Sequence, residues 1–379
     1  NESFLKEVSW VNMLKLRFSV GTSGSQHFNA YQAIQTYRYF LDDKYYAWNG
    51  SSLIAMGNPD LKWQQKRDYN IGLDVKLWDN RITIGGDFYI AKTNDLISTL
   101  TLPAANGFTT YIENIGSLKN TGYELRLSAY VLRKDQMSWS VSLAGIHNKN
   151  KIVEVSQALL DAQNAIESED LVNPNVQFRP GYSSNTIWTV RSAGIDPGTG
   201  KEVFISRDGN RTYNWSASDI VATGVSDPKL EGNISSMFRY KGLSLNVSFG
   251  YRFGGQIYNS TLANKVEVSK TAIGWNVDAR VFHDRWKNIG DQASFKGLDD
   301  FTPTNKTSRF VQDETTFRCQ NMTLQYELKS QALNKLLGID YCLFSASTSD
   351  LFYISTVKRE RGTSYPFSRQ FSLGVNVVF

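Results

Sequence analysis

Long apolar runs are missing from this 379-residue chain: no stretch approaches the ~18–20 consecutive apolar residues of a membrane-spanning helix. A bilayer crossing would therefore have to be made by strands closed into a barrel, the other architecture that pairs every backbone group in hydrocarbon. Proline is scarce at 8 residues against 28 glycines and 13% aromatics, a balance that suits strands and tight turns over helical bundles. Cys319 and Cys342 are too few and too far apart for a paired-cysteine metal cage, and read as two thiols or one bridge. Basic residues (41) barely exceed acidic ones (36) and form no dense block, which excludes a phosphate-tracking surface and makes nucleic acid an unexpected partner. The opening NESFLKEVSW has no basic start followed by an apolar stretch, so a signal peptide is not expected. The chain reads as mature, truncated or a piece. No fixed-length repeat points to a propeller or solenoid.

What is present is alternation with a period of two. In LKLRFSV, Leu14, Leu16, Phe18 and Val20 fall on one side and Lys15, Arg17 and Ser19 on the other. In YNIGLDVKLW, Tyr69, Ile71, Leu73, Val75 and Leu77 oppose Asn70, Gly72, Asp74 and Lys76. Such patterns are strands with different solvents on their two faces. Asp79-Asn80 reads as a two-residue hairpin into RITIGGDFYIA. The pattern continues through GYELRLSAYVL, with Tyr123, Leu125, Leu127, Ala129 and Val131 outward, then a polar RKDQ turn and SWSVSLAGI. NISSMFRY and LSLNVSFGYRF are joined by Lys241-Gly242. The other connections, 21–62, 92–121, 148–186, 192–230 and 254–308, read as long polar loops. The terminal FSLGVNVVF alternates up to Phe379, as a strand held inside a sheet.

Alternating strands also build soluble sandwiches and propellers. Three features favour a transmembrane antiparallel β-barrel. The strands run to about 10 residues, near the length that crosses a bilayer at a tilt. Their polar faces mix Lys, Arg, Asp and Glu with Gly and Ser, as in a water-filled or plugged lumen. Aromatics (Tyr69, Trp78, Tyr89, Trp139, Tyr240, Tyr251, Phe253) sit at strand ends, where interfacial girdles lie. The fold class is all-β.

Particular stretches then resemble a known family. GNPDLKWQQKRDYNIGLDVKLWDNRITIGGDFYIAKTNDLI (57–97), NIGSLKNTGYELRLSA (114–129), HNKNKIVEV (147–155), SAGIDPGTGKEVF with SRDGN, SDPKLEGNISSMFRYKGLSLNVSFGYRFGGQIYN (226–259), RWKNIGD (285–291), SRFVQDETTFRCQNMTLQYEL and the last strand are similar to the barrel of SusC-like (SusC/RagA) TonB-dependent outer-membrane transporters. The resemblance runs over nearly the whole chain. It implies that residues 1–379 form roughly the C-terminal half of a 22-stranded barrel, with about eleven or twelve strands here and no plug or TonB box. It implies an outer-membrane nutrient importer that takes up oligosaccharides or peptides, energised by TonB and lidded by a SusD-like surface lipoprotein. The plug and the N-terminal strands of the same barrel would complete the wall, since two open edges facing lipid are not viable. Phe379 would serve as closure and assembly signal. A passive outer-membrane porin and a soluble β-rich carbohydrate-binding module are the alternatives.

No catalytic constellation is expected. The histidines are His27, His147 and His283, and GTSGS (21–25) lacks the second glycine of a serine elbow and follows a strand without opening a helix. Paired acids at Asp42-Asp43, Glu167–Asp170 and Asp299-Asp300 read as solvated loop surface before glycosidase machinery. Asp196 with Asp208 and Asn210 does not match a known Ca²⁺ loop, so no metal and no cofactor is expected. The loops are ring-rich: Tyr45, Tyr46, Trp48, Trp188 and Trp215 are the candidates for substrate contact, with Trp275 and Trp286 as further loop rings.

Overall fold

The computed structural model describes residues 8–26, 30–101, 107–108, 110–166, 172, 174, 176–267, 278–300, 302–360 and 369–379. His27, the acids at 167–170 and Trp275 lie outside the described residues. The strands, in chain order, are β1 (Val11–Ser25), β2 (Thr36–Tyr45), β3 (Trp48–Ala55), β4 (Gln64–Leu77), β5 (Ile82–Thr101) and β6 (Thr110–Lys134). They continue with β7 (Met137–Val155), β8 (Thr186–Ile195), β9 (Glu202–Ile205), β10 (Arg211–Thr212), β11 (Ile220–Val225) and β12 (Leu230–Tyr240). The last are β13 (Leu243–Tyr258), β14 (Val311–Leu328), β15 (Tyr341–Ser349), β16 (Tyr353–Ser355) and β17 (Gln370–Val378). Two helices, α1 (Gln157–Ile166) and α2 (Gln331–Leu337), complete the main elements. Among the described residues no helix is long and apolar enough to cross a membrane.

Ten strands pair side by side, all antiparallel, in the order β1-β4-β5-β6-β7-β12-β13-β14-β15-β17, with the short β16 added to β14. Every large strand expected from alternation lies in this wall. Register explains why it has two solvents. Across β1 and β4, Leu16 faces Leu73 and Phe18 faces Ile71; Ile71 then meets Phe88 on β5, and Phe88 meets Tyr123 on β6. On the other flank Leu245 faces Leu324, which faces Ala346, which faces Leu373. These rows form one apolar face, and Leu16, Phe18, Leu125, Leu373 and Phe379 are among its exposed residues. The opposite face carries Lys15 against Asp74, Glu231 against Arg252 and Asn321 against Ser349.

Turns and loops segregate to the two ends. Lys241-Gly242 is a two-residue hairpin, as expected, and the polar RKDQ turn is shorter than its four residues, since Arg133 and Lys134 pair in the ladder and Asp135-Gln136 alone intervene. The β4–β5 connection is longer than expected: Leu77 pairs Ile82, so four residues intervene, and Trp78, Asp79 and Asn80 all take left-handed backbone. Aspartate and asparagine tolerate that conformation, while Trp78 is held in it by stacking on Trp10 at 5.9 Å. At the other end, 92–121 is not the long loop that its polarity suggests. β5 and β6 pair from Ile82 opposite Ala129 up to Thr101 opposite Thr110, so the sheet extends past the apolar belt. Gly116 permits this: its φ is +142° and a Cβ there would come within 2.0 Å of the Glu154 carbonyl oxygen. Ser156 then caps α1 through its hydroxyl, 3.3 Å from the Leu159 amide.

The remaining long connections are folded. β2 and β3 make a separate hairpin. β10-β9-β8-β11 form a four-stranded sheet within 192–230 and the segment before it. The hydrophobic clusters lie at this loop end: Trp188, Val190, Phe204 and Ile220 in one; Ala263, Val266, Phe295 and Phe310 in another; Ile115 and Leu159 in a third.

Candidate functional site

Two regions could meet a solute: the polar face of the wall and the folded cap over its loop end. On the polar face, Arg17 reaches Asp74 at 2.8 Å and Asp87 at 3.0 Å, spanning three strands over Gly72. Further along, Arg252 lies 3.0 Å from Glu314 and 3.9 Å from Glu231. Arg252, Glu231 and Glu314, with Asn233, Arg318 and Gln320, line a concavity of about 530 Å³. Side chains of alternating charge on glycine- and serine-bearing strands give a hydrated wall with acceptors and donors in near balance. The arginines of these pairs stay about a third exposed while Asp87 and Glu314 are largely covered, so the pairs orient the lining across neighbouring strands.

Aromatic rings reinforce both faces where glycines thin the sheet. Tyr89 lies over Gly122 and donates its hydroxyl to Asn148 Oδ1 at 3.1 Å. Tyr251 lies over Gly232 and Gly145, and its hydroxyl donates to the Ala144 carbonyl at 2.9 Å. Covering a strand glycine with a cross-strand ring restores the packing that the missing side chain gives up.

The cap is held by buried ion pairs between loops that are distant in sequence. Arg309, at the entry to β14, places Nη2 2.9 Å from Glu202 Oε2 and 2.6 Å from Glu267 Oε1, while Nη1 donates to the Ser294 carbonyl at 2.7 Å. The side chains of Glu202 and Glu267 are 3% and 1% exposed. Burial pushes the Arg309 guanidinium down, but the charges of Glu267 and Glu202 and their hydrogen bonds outweigh it and hold the group above its ordinary value. Behind it, Arg285 donates to the carbonyls of Val281, Lys296 and Val266 at 2.6, 3.0 and 2.6 Å. A second latch joins the β15–β17 connection: Arg280 lies 2.7 Å from Asp278 and 2.8 Å from Glu360. Hydrogen bonding to the Arg280 side chain holds the Asp278 carboxyl well below the usual range.

The ring candidates fall into two groups. Tyr46 and Trp48, at the tip of the β2–β3 hairpin, are 89% and 78% exposed. Tyr45 pairs with Trp48 in the same hairpin backbone. Trp188 is buried in the cap cluster, where Trp215 packs against it and points its indole nitrogen to the Lys306 carbonyl at 3.5 Å. Trp286 also closes packing: its indole donates to the Pro197 carbonyl at 2.8 Å, and its ring lies against Gly200, whose φ is +70°. Phe379 is exposed beyond β17.

The other candidates have local structural work. Asp196 accepts from Tyr213, from Thr199 and from the Gly198 amide, which closes the β8–β9 turn. Hydrogen bonding, first from Tyr213, holds its carboxyl below the usual range. Asp300 accepts from the Thr302 amide and hydroxyl. Ser23 lies in the β1 ladder opposite Lys66, and His147 Nδ1 meets the Lys229 carbonyl at 2.7 Å. Among the described residues no group of three or more His, Cys, Asp or Glu side chains is arranged to hold a metal ion. Cys319 and Cys342 are both free. The Arg309 clamp escaped sequence reasoning because its members are 42 and 107 residues apart.

Comparison with known proteins gives a consistent result. A family described as TonB dependent receptor-like, beta-barrel matches residues 8–259. The chain is 27% identical to the TonB-dependent receptor SusC of Bacteroides thetaiotaomicron and 24% identical to the TonB-dependent receptor P39 of Formosa agariphila. All of it aligns with both, yet it spans only 39% and 41% of their lengths. Among solved structures, the RagAB peptide importer in its closed-closed state superimposes with a TM-score of 0.81 at 23% identity, covering 99% of this chain and 42% of that one.

Proposed function

Because this chain belongs to the TonB-dependent receptor β-barrel family and is part of an outer-membrane β-barrel, we propose that it is the C-terminal wall and cap of a SusC-type importer. In this reading residues 1–379 form one structural unit. The long-loop end is extracellular, the short turns are periplasmic, and a plug and further strands of the same barrel complete the cylinder. TonB energises the plug, a SusD-like lipoprotein lies over the cap, and oligosaccharides or peptides pass inward. Such a chain has no catalytic role.

The observation that carries the reading is the two-solvent wall. A sheet of ten strands with an apolar belt on one face and an ion-paired lining on the other fits lipid outside and water inside. Among the described residues, β1 and β17 each pair on one side only, so each offers an edge for further strands. The folded cap supplies a built surface for a lid and a solute. The exposed Tyr46 and Trp48 are our candidates for contact at the mouth, with Tyr45 beside them in the hairpin. Trp188 and Trp215 serve the cap from within, and Phe379 serves assembly.

The test is uptake of labelled oligosaccharides and peptides by cells that express or lack the gene, before and after collapse of the proton-motive force. Energy-dependent uptake lost with the gene supports the importer. Uptake that depends on the gene but survives de-energisation supports a passive pore and overturns the TonB-coupled reading.

A further inference from the structure

The apolar belt of the wall ends, toward the loops, in a row of cations. Register fixes the row: Arg67 of β4 faces Lys92 of β5, Lys92 faces Lys119 of β6, and Lys119 faces Lys151 of β7. All four are exposed. They share the lipid side, because counting by twos along each strand leads back to the apolar face: from Arg67 to Tyr69 and Ile71, from Lys92 to Ile90 and Phe88, from Lys119 to Thr121 and Tyr123. Lys149, one step nearer the belt on β7, pairs with Thr121 and adds a further cation. Depth follows from the same count. The turn-side edge of the belt is the row of Leu77, Ile82, Ala129 and Val141, and Arg67 lies ten residues along β4 from Leu77. At about 3.3 Å per residue and a tilt of about 40° this is about 25 Å of height, the depth of an outer-membrane apolar band. The cations stand at headgroup level.

Such a row is unfavourable on its own. Like charges directly across neighbouring strands repel, and the polar face avoids this by setting Lys15 against Asp74 and Glu231 against Arg252. The row itself, with Thr22 of β1 next to Arg67, holds no acid. Asp68, adjacent to Arg67 in sequence, belongs to the polar face and pairs with Lys66 at 2.9 Å. Asp95 and Glu154 lie beyond the row, past the register shifts that follow Thr93 and precede Leu118. On β13 and β14 the lipid side carries rings instead, Phe249 stacked on Phe317 at 5.4 Å. A solute in the lumen does not meet groups that face lipid. We propose that the row binds the phosphate groups of an outer-leaflet lipid whose acyl chains lie along the belt below. Guanidinium and ammonium groups both take phosphate through charge-assisted bonds, and their snorkelling stems even out the depth differences that strand tilt introduces along the row. Repulsion within the row then becomes attraction to a shared anion. The choice of leaflet rests on the orientation proposed above, whereas the site rests on the sheet register.

The test is native mass spectrometry of the intact assembly, purified in detergent from outer membranes, stripped of lipid and titrated with diphosphoryl lipid A, its dephosphorylated form and inorganic phosphate. The diphosphoryl lipid is expected to be retained roughly tenfold or more over the dephosphorylated one, by a margin that narrows as salt rises. Replacing Arg67, Lys92, Lys119 and Lys151 together by Gln should abolish that preference. Lys92→Gln with Lys119→Gln, a milder change that also relieves the repulsion, should remove part of it. Lys15→Gln with Lys76→Gln, which takes charge from the polar face, should keep it, and heat-modifiable gel mobility checks that each variant is a folded barrel. Equal retention of the two lipids, displacement of the lipid by equimolar inorganic phosphate, or charge-row variants that fold and bind like the parent overturn the site. Orientation is read separately, as antibody access on intact cells to a tag inserted at the tip of the β2–β3 hairpin. If the tag is hidden while the phosphorylated lipid binds, the orientation and the leaflet fall and the phosphate site stands; if the tag is accessible and the lipid does not bind, the site falls and the orientation stands.

Discussion

Replacing Arg309 by Met should open the cap without dissolving the wall. Arg309 is 11% exposed and its partners Glu202 and Glu267 are 3% and 1% exposed, so the substitution leaves two buried carboxylates without their cation. Removing one partner of a buried ion pair costs about 3–5 kcal/mol, most of it the penalty of the stranded charge. Here Arg309 holds Glu202 from the β8–β9 sheet and Glu267 from the β13–β14 connection, so the loss falls on local opening of those segments. At about 1.4 kcal/mol per decade, the open population should rise by roughly two to three and a half decades. Hydrogen exchange in detergent reads this directly, as lost protection at 202–205 and 262–266 with β4 to β7 unchanged. A triple variant, Arg309→Met with Glu202→Gln and Glu267→Gln, should recover much of the protection because no buried charge is left alone. If Arg309→Met leaves cap exchange unaltered, or if the triple variant is worse than the single one, the clamp does not hold the cap and the argument fails.

Leu125→Arg places a charge on the apolar face between Gly86 and Gly145; at mid-depth it should cost about 2–4 kcal/mol, read as a lower urea midpoint in refolding into lipid, whereas Arg126→Leu on the polar face should cost far less. An equal cost for the two would place the lipid on the wrong face. Phe379→Ala should reduce the amount of folded protein in the outer membrane several-fold, measured by heat-modifiable gel mobility, without changing the stability of the barrel that does assemble. Unchanged assembly would remove the signalling role of the terminal ring. Asp278 has a folded-state pKa below its unfolded one, so its contribution is complete above about pH 4 and is lost as pH falls through the folded value. The Arg280 latch should therefore show constant exchange protection at 278–282 between pH 5 and 8, after correction for intrinsic rates, and a loss within that window would contradict the assignment.

The wall was legible because its information is local. Leu14 to Val20 and Tyr69 to Leu77 each declare a face by alternation alone, and short breaks such as Lys241-Gly242 fix the pairing of their neighbours. Reading 92–121 as a loop failed because Lys92, Thr93 and Asn94 are polar on a sheet that continues past the membrane belt, where polarity no longer separates strand from loop. Trp188 looked like a surface ring because ring-rich polar segments are usually exposed. It is buried because β8, β9 and β11 assemble a small core of their own from residues up to about 30 positions apart. The clamp members Glu202, Glu267 and Arg309 have no shared motif and meet only through the wall's topology.

That division has a mechanical consequence. The wall residues Leu16, Phe18 and Leu373 are 74%, 70% and 87% exposed on the protein surface, and they gain their burial from lipid. Val190, Val266 and Phe310, at the loop end, are 0–1% exposed and gain theirs from the protein itself. The cap is thus built like a soluble module mounted on a membrane element, and Arg309 and Arg280 fasten its loops to one another.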